Sequence, residues 1–142
     1  MNNPLSSQRG AKKSIDSLKV LVVDDDPFQL EVIADCLQTL GVQHIKQCSS
    51  GALALQEIAK SKSAPFDLML SDLHMPGMDG FEFMAAVGQG GFKGALIIVS
   101  GQTSDVLHSA SLVARLRRFN LLGLLPKPVE KTALAALMRP LS

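Results

Sequence analysis

The rhythm of polar and apolar positions changes at Leu18. Residues 1–17 mix Asn, Ser, Lys and Gly without periodicity, which predicts a flexible polar tail ahead of a domain over 18–142. From Lys19 to Val23 an apolar run stops abruptly at three acids, as in a strand buried on both faces. Asp26-Pro27 then opens a helix: an acidic N-cap, proline at the first helical position, and Leu30, Ile33, Ala34 and Leu37 at helical spacing up to Gly41. Val42 to Cys48 alternates, predicting a strand nearer an edge. Ser49 or Ser50 caps a helix to about Lys60, with Leu53, Ile58 and the neighbouring alanines expected inward.

The second half repeats this order. Leu68 to Leu70 is a strand ending at Ser71-Asp72, followed by the turn-rich MPGMDG. A short helix over Phe81 to Val87 is expected to stop at Gly88 and Gly90-Gly91. Ala95 to Val99 is another continuous apolar strand. Thr103 to Phe119 reads as a helix with Leu112, Leu116 and Phe119 on one stripe. Leu121 to Leu125 is the last strand, and Val129 to about Met138 the last helix, halted before Pro140. Five strands and five helices in strict alternation predict an α/β domain. Its sheet is doubly wound and parallel, with right-handed crossovers and helices on both faces.

Composition narrows the function classes. The 142 residues fit one domain, and 46% apolar with 19% charged is a globular balance. Fourteen basic against thirteen acidic residues give a net charge of +1, without the basic excess that a phosphate backbone demands, so direct nucleic-acid binding is not expected. With no Trp or Tyr, stacking platforms are not expected either. Neither a secretory apolar stretch nor an apolar run near the ~18 residues of a membrane span is present. The two cysteines, Cys36 and Cys48, are too few for a disulfide framework and point to a reducing, cytoplasmic setting.

In a sheet of this kind ligands bind outside the carboxyl ends of the strands. Those ends carry Asp24-Asp25-Asp26, Ser71-Asp72, Ser100-Gly101 and Pro126-Lys127-Pro128. Carboxylates converging within ~4–6 Å raise one another's pKa and call for a cation. Hard oxygen donors suit Mg²⁺, and no His or Cys has the spacing that zinc requires. An Asp nucleophile, a divalent metal, a lysine and a hydroxyl together suit in-line phosphoryl transfer.

Four segments, VLVVDDDP (20–27), DLMLSDLHMPGMDG (67–80), ALIIVSGQ (95–102) and LLGLLPKPVE (121–130), resemble the receiver domain of two-component response regulators. The resemblance covers about residues 18–139. It implies a flavodoxin-like (βα)5 fold with strand order 2-1-3-4-5. It further implies that Asp72 accepts a phosphoryl group as an aspartyl phosphate, with Mg²⁺ as cofactor. Asp25 and Asp72 would bind the metal directly, Asp24 through water, and His74 through its backbone carbonyl. Ser100 and Lys127 match the hydroxyl and lysine that engage the phosphoryl group. Lys127-Pro128 matches a cis peptide bond, making Pro128 a cis-proline. His74 and Gln102 flank the path of the hydrolytic water and would tune dephosphorylation. The donor implied is a phosphohistidine on a histidine kinase or phosphotransfer protein. The implied readout is an output domain or partner protein, with homodimerisation a further expectation.

One position departs from the family. The switch position that commonly holds Tyr or Phe is Leu124, so an aromatic in–out switch is not expected. The stretch VLHSASLVARLRRFNLLGLLPKPV is similar to receivers fused in front of EAL-type cyclic-di-GMP phosphodiesterase domains. Plainer roles suit other residues: a cap for Asp26, a turn residue or cap for Asp79, a helix or surface place for His44 and His108, packing for Met75, Met78 and Met84, burial for Cys36, and a solvated helix face for Arg115, Arg117 and Arg118. Two other functions stay open. One is a degenerate receiver that binds a partner without phosphorylation. The other is a haloacid-dehalogenase-type phosphatase using Asp24-x-Asp26, Ser100 and Lys127.

Overall fold

The computed structural model describes residues 13–101 and 119–141. In chain order these form β1 (Lys19–Val23), α1 (Pro27–Thr39), β2 (His44–Cys48), α2 (Gly51–Lys60), β3 (Leu68–Ser71), α3 (Gly80–Gln89), β4 (Ala95–Ser100), β5 (Asn120–Pro126) and α4 (Lys131–Met138). The five strands make one sheet, all parallel as the alternation of elements predicts and in the order β2-β1-β3-β4-β5 that the resemblance implies. Residues 103–118 of the helix expected over Thr103 to Phe119 lie outside the described residues, as do Gln102 and the tail as far as residue 12, and Phe119 packs against the core on the side of α2 and α3. Among the described residues no helix is long and apolar enough to cross a membrane.

The three central strands are apolar without alternation because both their faces are covered. Leu21, Val23, Met69, Leu96 and Ile98 point to the side of α2 and α3, where Ala54, Ile58, Phe83, Met84 and Val87 meet them. Val20, Val22, Leu68, Leu70 and Ile97 point to the side of α1 and α4, against Leu30, Ile33, Leu37, Leu134 and Met138. β5 carries an irregularity in its register against Leu96 and Ile97, with Leu122 outside the pairing. Leu121 and Leu124 pack toward the α2–α3 core, and Leu122 and Leu125 toward the other.

The predicted caps form. Asp26 accepts from the Phe28 N–H, Ser50 from the Leu53 N–H, and Asp79 from the Phe81 and Glu82 N–H groups. α1 ends with Gly41 at φ +106°, and the Gly41 and Val42 N–H groups close on the Gln38 and Leu37 carbonyls at 3.0 Å each. Pro27 stands at the first helical position, where its missing N–H costs nothing.

Three expectations need correction. Leu53 does not turn inward; it is 44% exposed, and of the neighbouring alanines Ala54 is buried while Ala52 and Ala59 are exposed. The buried stripe of α2 is Gly51, Ala54 and Ile58, because the helix presses close to its neighbour at its first turn. A Cβ on Gly51 would lie 2.8 Å from Met78 Sδ and 2.9 Å from the Phe83 ring, so the small-residue face must be the inner one. α3 does not stop at Gly88 but runs to Gln89, and Gly90 is its cap. Cys36 is half-buried rather than buried, with its thiol 3.7 Å from the Val129 carbonyl.

Lys13 to Ser17, counted with the tail by composition, engage the domain. The Lys13 N–H donates to the Leu141 carbonyl at 3.2 Å, and its ammonium pairs with Asp67 at 3.0 Å. Asp67 also accepts the Lys19 N–H at 2.9 Å, fixing the first residue of β1. The loop before β4 leaves no room for a side chain: a Cβ on Gly94 would stand 2.7 Å and 2.8 Å from the Phe66 and Asp67 carbonyl oxygens. Those are backbone atoms at the entry to the neighbouring strand β3 and cannot swing aside. Gly94→Ala is therefore expected to lower stability by about 1–3 kcal/mol. A urea midpoint shifted down with an unchanged m-value checks this; an unmoved midpoint contradicts it.

Candidate functional site

The chain leaves β1 toward β2 on one side and returns to β3 on the other, so the direction in which strands are added reverses between β1 and β3. The crevice at the carboxyl ends of these two strands is where such a sheet offers room for a ligand. Asp24 follows β1, with its N–H bonded to the Cys48 carbonyl at 3.1 Å. Asp72 follows β3, with its N–H on the Val23 carbonyl at 3.0 Å. Lys127 follows β5, and its N–H donates to the Ser100 carbonyl at 3.1 Å. The sheet thus carries all three side chains to one edge by extending its own backbone ladder.

There they meet. Lys127 Nζ lies 2.7 Å from Asp72 Oδ2 and 2.8 Å from Asp24 Oδ2. The other oxygen of each acid is held locally: the His74 N–H donates to Asp72 Oδ1 at 2.7 Å, and the Asp26 N–H to Asp24 Oδ1 at 2.9 Å. Asp25 stands exposed beside them, and carboxylate oxygens of Asp24, Asp25 and Asp72 all lie within 4.8 Å of one another. Asp24, Asp72 and Ser100 are buried, an unusual state for two acids unless paired. Burial pushes the Asp24 carboxyl above its usual range, against the opposing pull of the Lys127 and Asp26 hydrogen bonds. For Lys127 burial works downward, but the hydrogen bonds and charges of Asp24 and Asp72 outweigh it and the ammonium is held above its usual range. One cation for three carboxylates leaves the cluster short of positive charge.

The other sequence-derived positions fall as follows. Ser100 ends β4 beside Pro126 of β5, at the same edge. The His74 backbone meets Asp72 while its side chain is exposed. The Lys127-Pro128 bond is cis. Leu124 is half-buried and packs against the α2–α3 core. Asp26 and Asp79 are caps, His44 is exposed, Met75 and Met84 are core residues, and Met78 packs on that core. His108, Arg115, Arg117 and Arg118 lie outside the described residues. Sequence reasoning missed Phe28, 65% exposed in the first turn of α1, which follows Asp26. The signal was present: counting by helical steps, Phe28 falls off the Leu30, Ile33, Leu37 stripe and onto the polar face with Glu31 and Asp35.

A 2-1-3-4-5 parallel sheet with acids and a lysine gathered at its switch point defines an α/β domain of the CheY-like kind. Solved structures agree. A chemotaxis protein CheY4 of Vibrio cholerae superposes with a TM-score of 0.68 at 28% identity, covering 88% of this chain and 98% of that one. The receiver domain of the histidine kinase CKI1 from Arabidopsis thaliana, solved with Mg²⁺, gives 0.64 at 26% identity over 84% of this chain and 89% of that one. The family model for the response regulator receiver domain matches residues 20–139. The chain belongs to that family and is a receiver domain of the two-component type. Among curated relatives, the two-component response regulator ARR2 of Arabidopsis thaliana is 42% identical over 72 residues, 51% of this chain and 10% of that protein. The sensor histidine kinase RcsC of Escherichia coli is 35% identical over 105 residues, 74% of this chain and again 10% of that protein. The chain thus spans about a tenth of the length of these relatives. Membership in the receiver family displaces the haloacid-dehalogenase alternative, in which Asp72 and MPGMDG had no role.

Proposed function

We propose that this receiver takes a phosphoryl group from a phosphohistidine donor onto Asp72, with Mg²⁺, and passes the change to a partner or output domain. The observation that carries the reading is Lys127, whose one ammonium bridges Asp24 and Asp72. A surface lysine has no reason to be drawn between two buried acids, whereas a lysine that meets a phosphoryl group on Asp72 must sit there.

In the reaction, an Asp72 oxygen attacks phosphorus in line. The P–O bond forms, the P–N bond to the donor imidazole breaks, and the imidazole leaves with the bonding pair. The His74 N–H fixes Oδ1, so the carboxylate cannot rotate. Oδ2 touches Lys127 and is the nucleophile. Lys127 stays beside the new acyl phosphate and neutralises a phosphoryl oxygen. Ser100, at the same edge, is the hydroxyl that follows the phosphoryl group. The donor set fits a hard divalent ion: Asp24, Asp25 and Asp72 supply only carboxylate oxygens, close together and undercompensated. Mg²⁺ bound there supplies the positive charge that phosphoryl oxygens require. The His74 carbonyl completes the proposed protein ligands, and the His74 and Gln102 side chains are the proposed controls of hydrolysis. Phe28 offers a donor protein an apolar contact in the first turn of α1. Leu124 rules an aromatic switch out, so the readout runs through other packing on that face. The proposed readers are a downstream protein, an EAL domain among them, or a second copy of the chain.

The intact Asp24, Asp25, Asp72 and Lys127 set favours this over a receiver that works without phosphorylation. Beryllofluoride, a phosphoryl mimic, tests it. With Mg²⁺ it is expected to raise the melting temperature of the wild type and leave Asp72→Asn unmoved. Equal stabilisation of both would place the mimic elsewhere and remove Asp72 from the role.

A further inference from the structure

The opposite edge of the sheet carries the opposite charge. The edge that holds Asp24 and Asp72 also gathers Asp25, Asp26, Asp79, Glu82 and Glu130 around Lys127 and Lys131. At the amino ends of the strands stand six basic residues, Lys13, Lys19, Lys60, Lys62, Lys93 and Arg139, against three acids, Asp16, Glu57 and Asp67. Beneath α2 and α3 at this end lies an open groove of about 420 Å³, walled by Ile58, Pro65, Phe66 and Phe92 and edged by Lys62 and Lys93. A second depression of about 370 Å³ shares Pro65, Phe66 and Lys93 with it, so the two run on across the base of the domain.

Most charges at this end are spent. Lys13 pairs with Asp67 at 3.0 Å, and Lys60 with Glu57 at 3.7 Å. Lys19 donates to the Ala64 carbonyl and lies 4.6 Å from the centre of the Phe66 ring. Lys62 and Lys93 are exposed and have no ion pair among the described residues. Helix ends do not account for them. Lys60 already serves the last turn of α2. α3 closes its own last carbonyls through the Gly90, Gly91 and Phe92 N–H groups. The one acid bordering the groove, Asp67, is consumed by Lys13 and the Lys19 N–H.

We infer that this groove docks an acidic segment of a partner protein, anchored by an apolar side chain against the exposed Pro65 ring and by carboxylates on Lys62 and Lys93. Charge complementarity and shape select that occupant. A membrane would need exposed apolar wedges, yet the large exposed hydrophobic side chains of the described residues are Phe28 and Leu53, away from this base. A nucleic acid would need a longer basic track and exposed rings for stacking, whereas Phe66 and Phe92 are buried. A buried small ligand would need converging polar side chains, which the walls lack.

The test uses a fluorescein-labelled decapeptide of glutamates interspersed with leucine and phenylalanine, beside a twin with lysine in place of each glutamate. Anisotropy is expected to report binding of the acidic peptide that weakens with salt, while the basic twin binds at least about tenfold less tightly. Backbone amide shifts should cluster at Phe66 and Gly90 to Lys93. Lys62→Glu with Lys93→Glu should cost about tenfold or more in affinity, and beryllofluoride stabilisation should stay as in the wild type. The assignment is overturned if both peptides bind alike, if the shifts fall around Asp24 and Asp72, or if the double variant binds as well as the wild type. It is equally overturned if anionic vesicles or single-stranded RNA bind the base in preference. Self-association abolished by the same substitutions would give the groove to the acidic edge of a second copy instead.

Discussion

Lys127→Ala is expected to lose about 3–5 kcal/mol of folding stability, several times what an exposed ion pair contributes. The reason lies in what remains. Asp24 and Asp72 have side chains only 1% and 6% exposed, and the Lys127 ammonium is the counter-charge within 2.8 Å of both. Removing it leaves two buried carboxylates facing each other. Mg²⁺ should then restore more stability to the variant than it adds to the wild type, because it meets a larger charge deficit. Chemical denaturation with and without Mg²⁺ measures both effects. A variant as stable as the wild type would mean that water already screens the pair.

Asp25→Asn is expected to behave in the opposite way. Asp25 is exposed and offers its oxygen to the cluster without supporting the fold. Its replacement should leave the denaturation midpoint within about 0.5 kcal/mol. Phosphorylation by a small-molecule donor should nevertheless slow by at least the ~10–100-fold that losing even an outer-shell metal partner costs. Raising Mg²⁺ should recover part of the rate, since a weakened ligand set still binds at higher concentration. A rate unchanged at low Mg²⁺ would take Asp25 out of the metal set.

The sheet was legible because its physics is local. Val20 to Val23, Leu68 to Leu70 and Ala95 to Val99 have no alternation, and a strand without alternation must be covered on both faces. The caps at Asp26, Ser50 and Asp79 were legible for the same reason: a short acceptor one or two residues ahead of an apolar stripe has one use. What escaped depends on approach between distant elements. The choice of Ala54 over Leu53 for the inner face of α2 follows from how tightly Gly51 sits on Met78 and Phe83, and residue spacing within α2 cannot carry that. The pairing of Lys13 with Asp67 escaped because composition alone assigned Lys13 to a tail. At the site, strand ends identified Asp24, Asp72 and Lys127, but their pattern did not say that one ammonium would touch both acids. Phe28 went unremarked because it was counted as part of a helix start rather than placed on a helical wheel.

The central claim is that Asp72 accepts a phosphoryl group in a reaction that needs Mg²⁺. The most direct test is the intact mass of the protein after incubation with acetyl phosphate and Mg²⁺, beside the same incubation with a chelator and with Asp72→Asn. A mass gain of one phosphoryl group in the first sample and none in the other two is the predicted result. A gain that survives in Asp72→Asn, or no gain in a folded wild-type protein that also fails to bind beryllofluoride, would contradict the claim and leave a receiver that acts by binding alone.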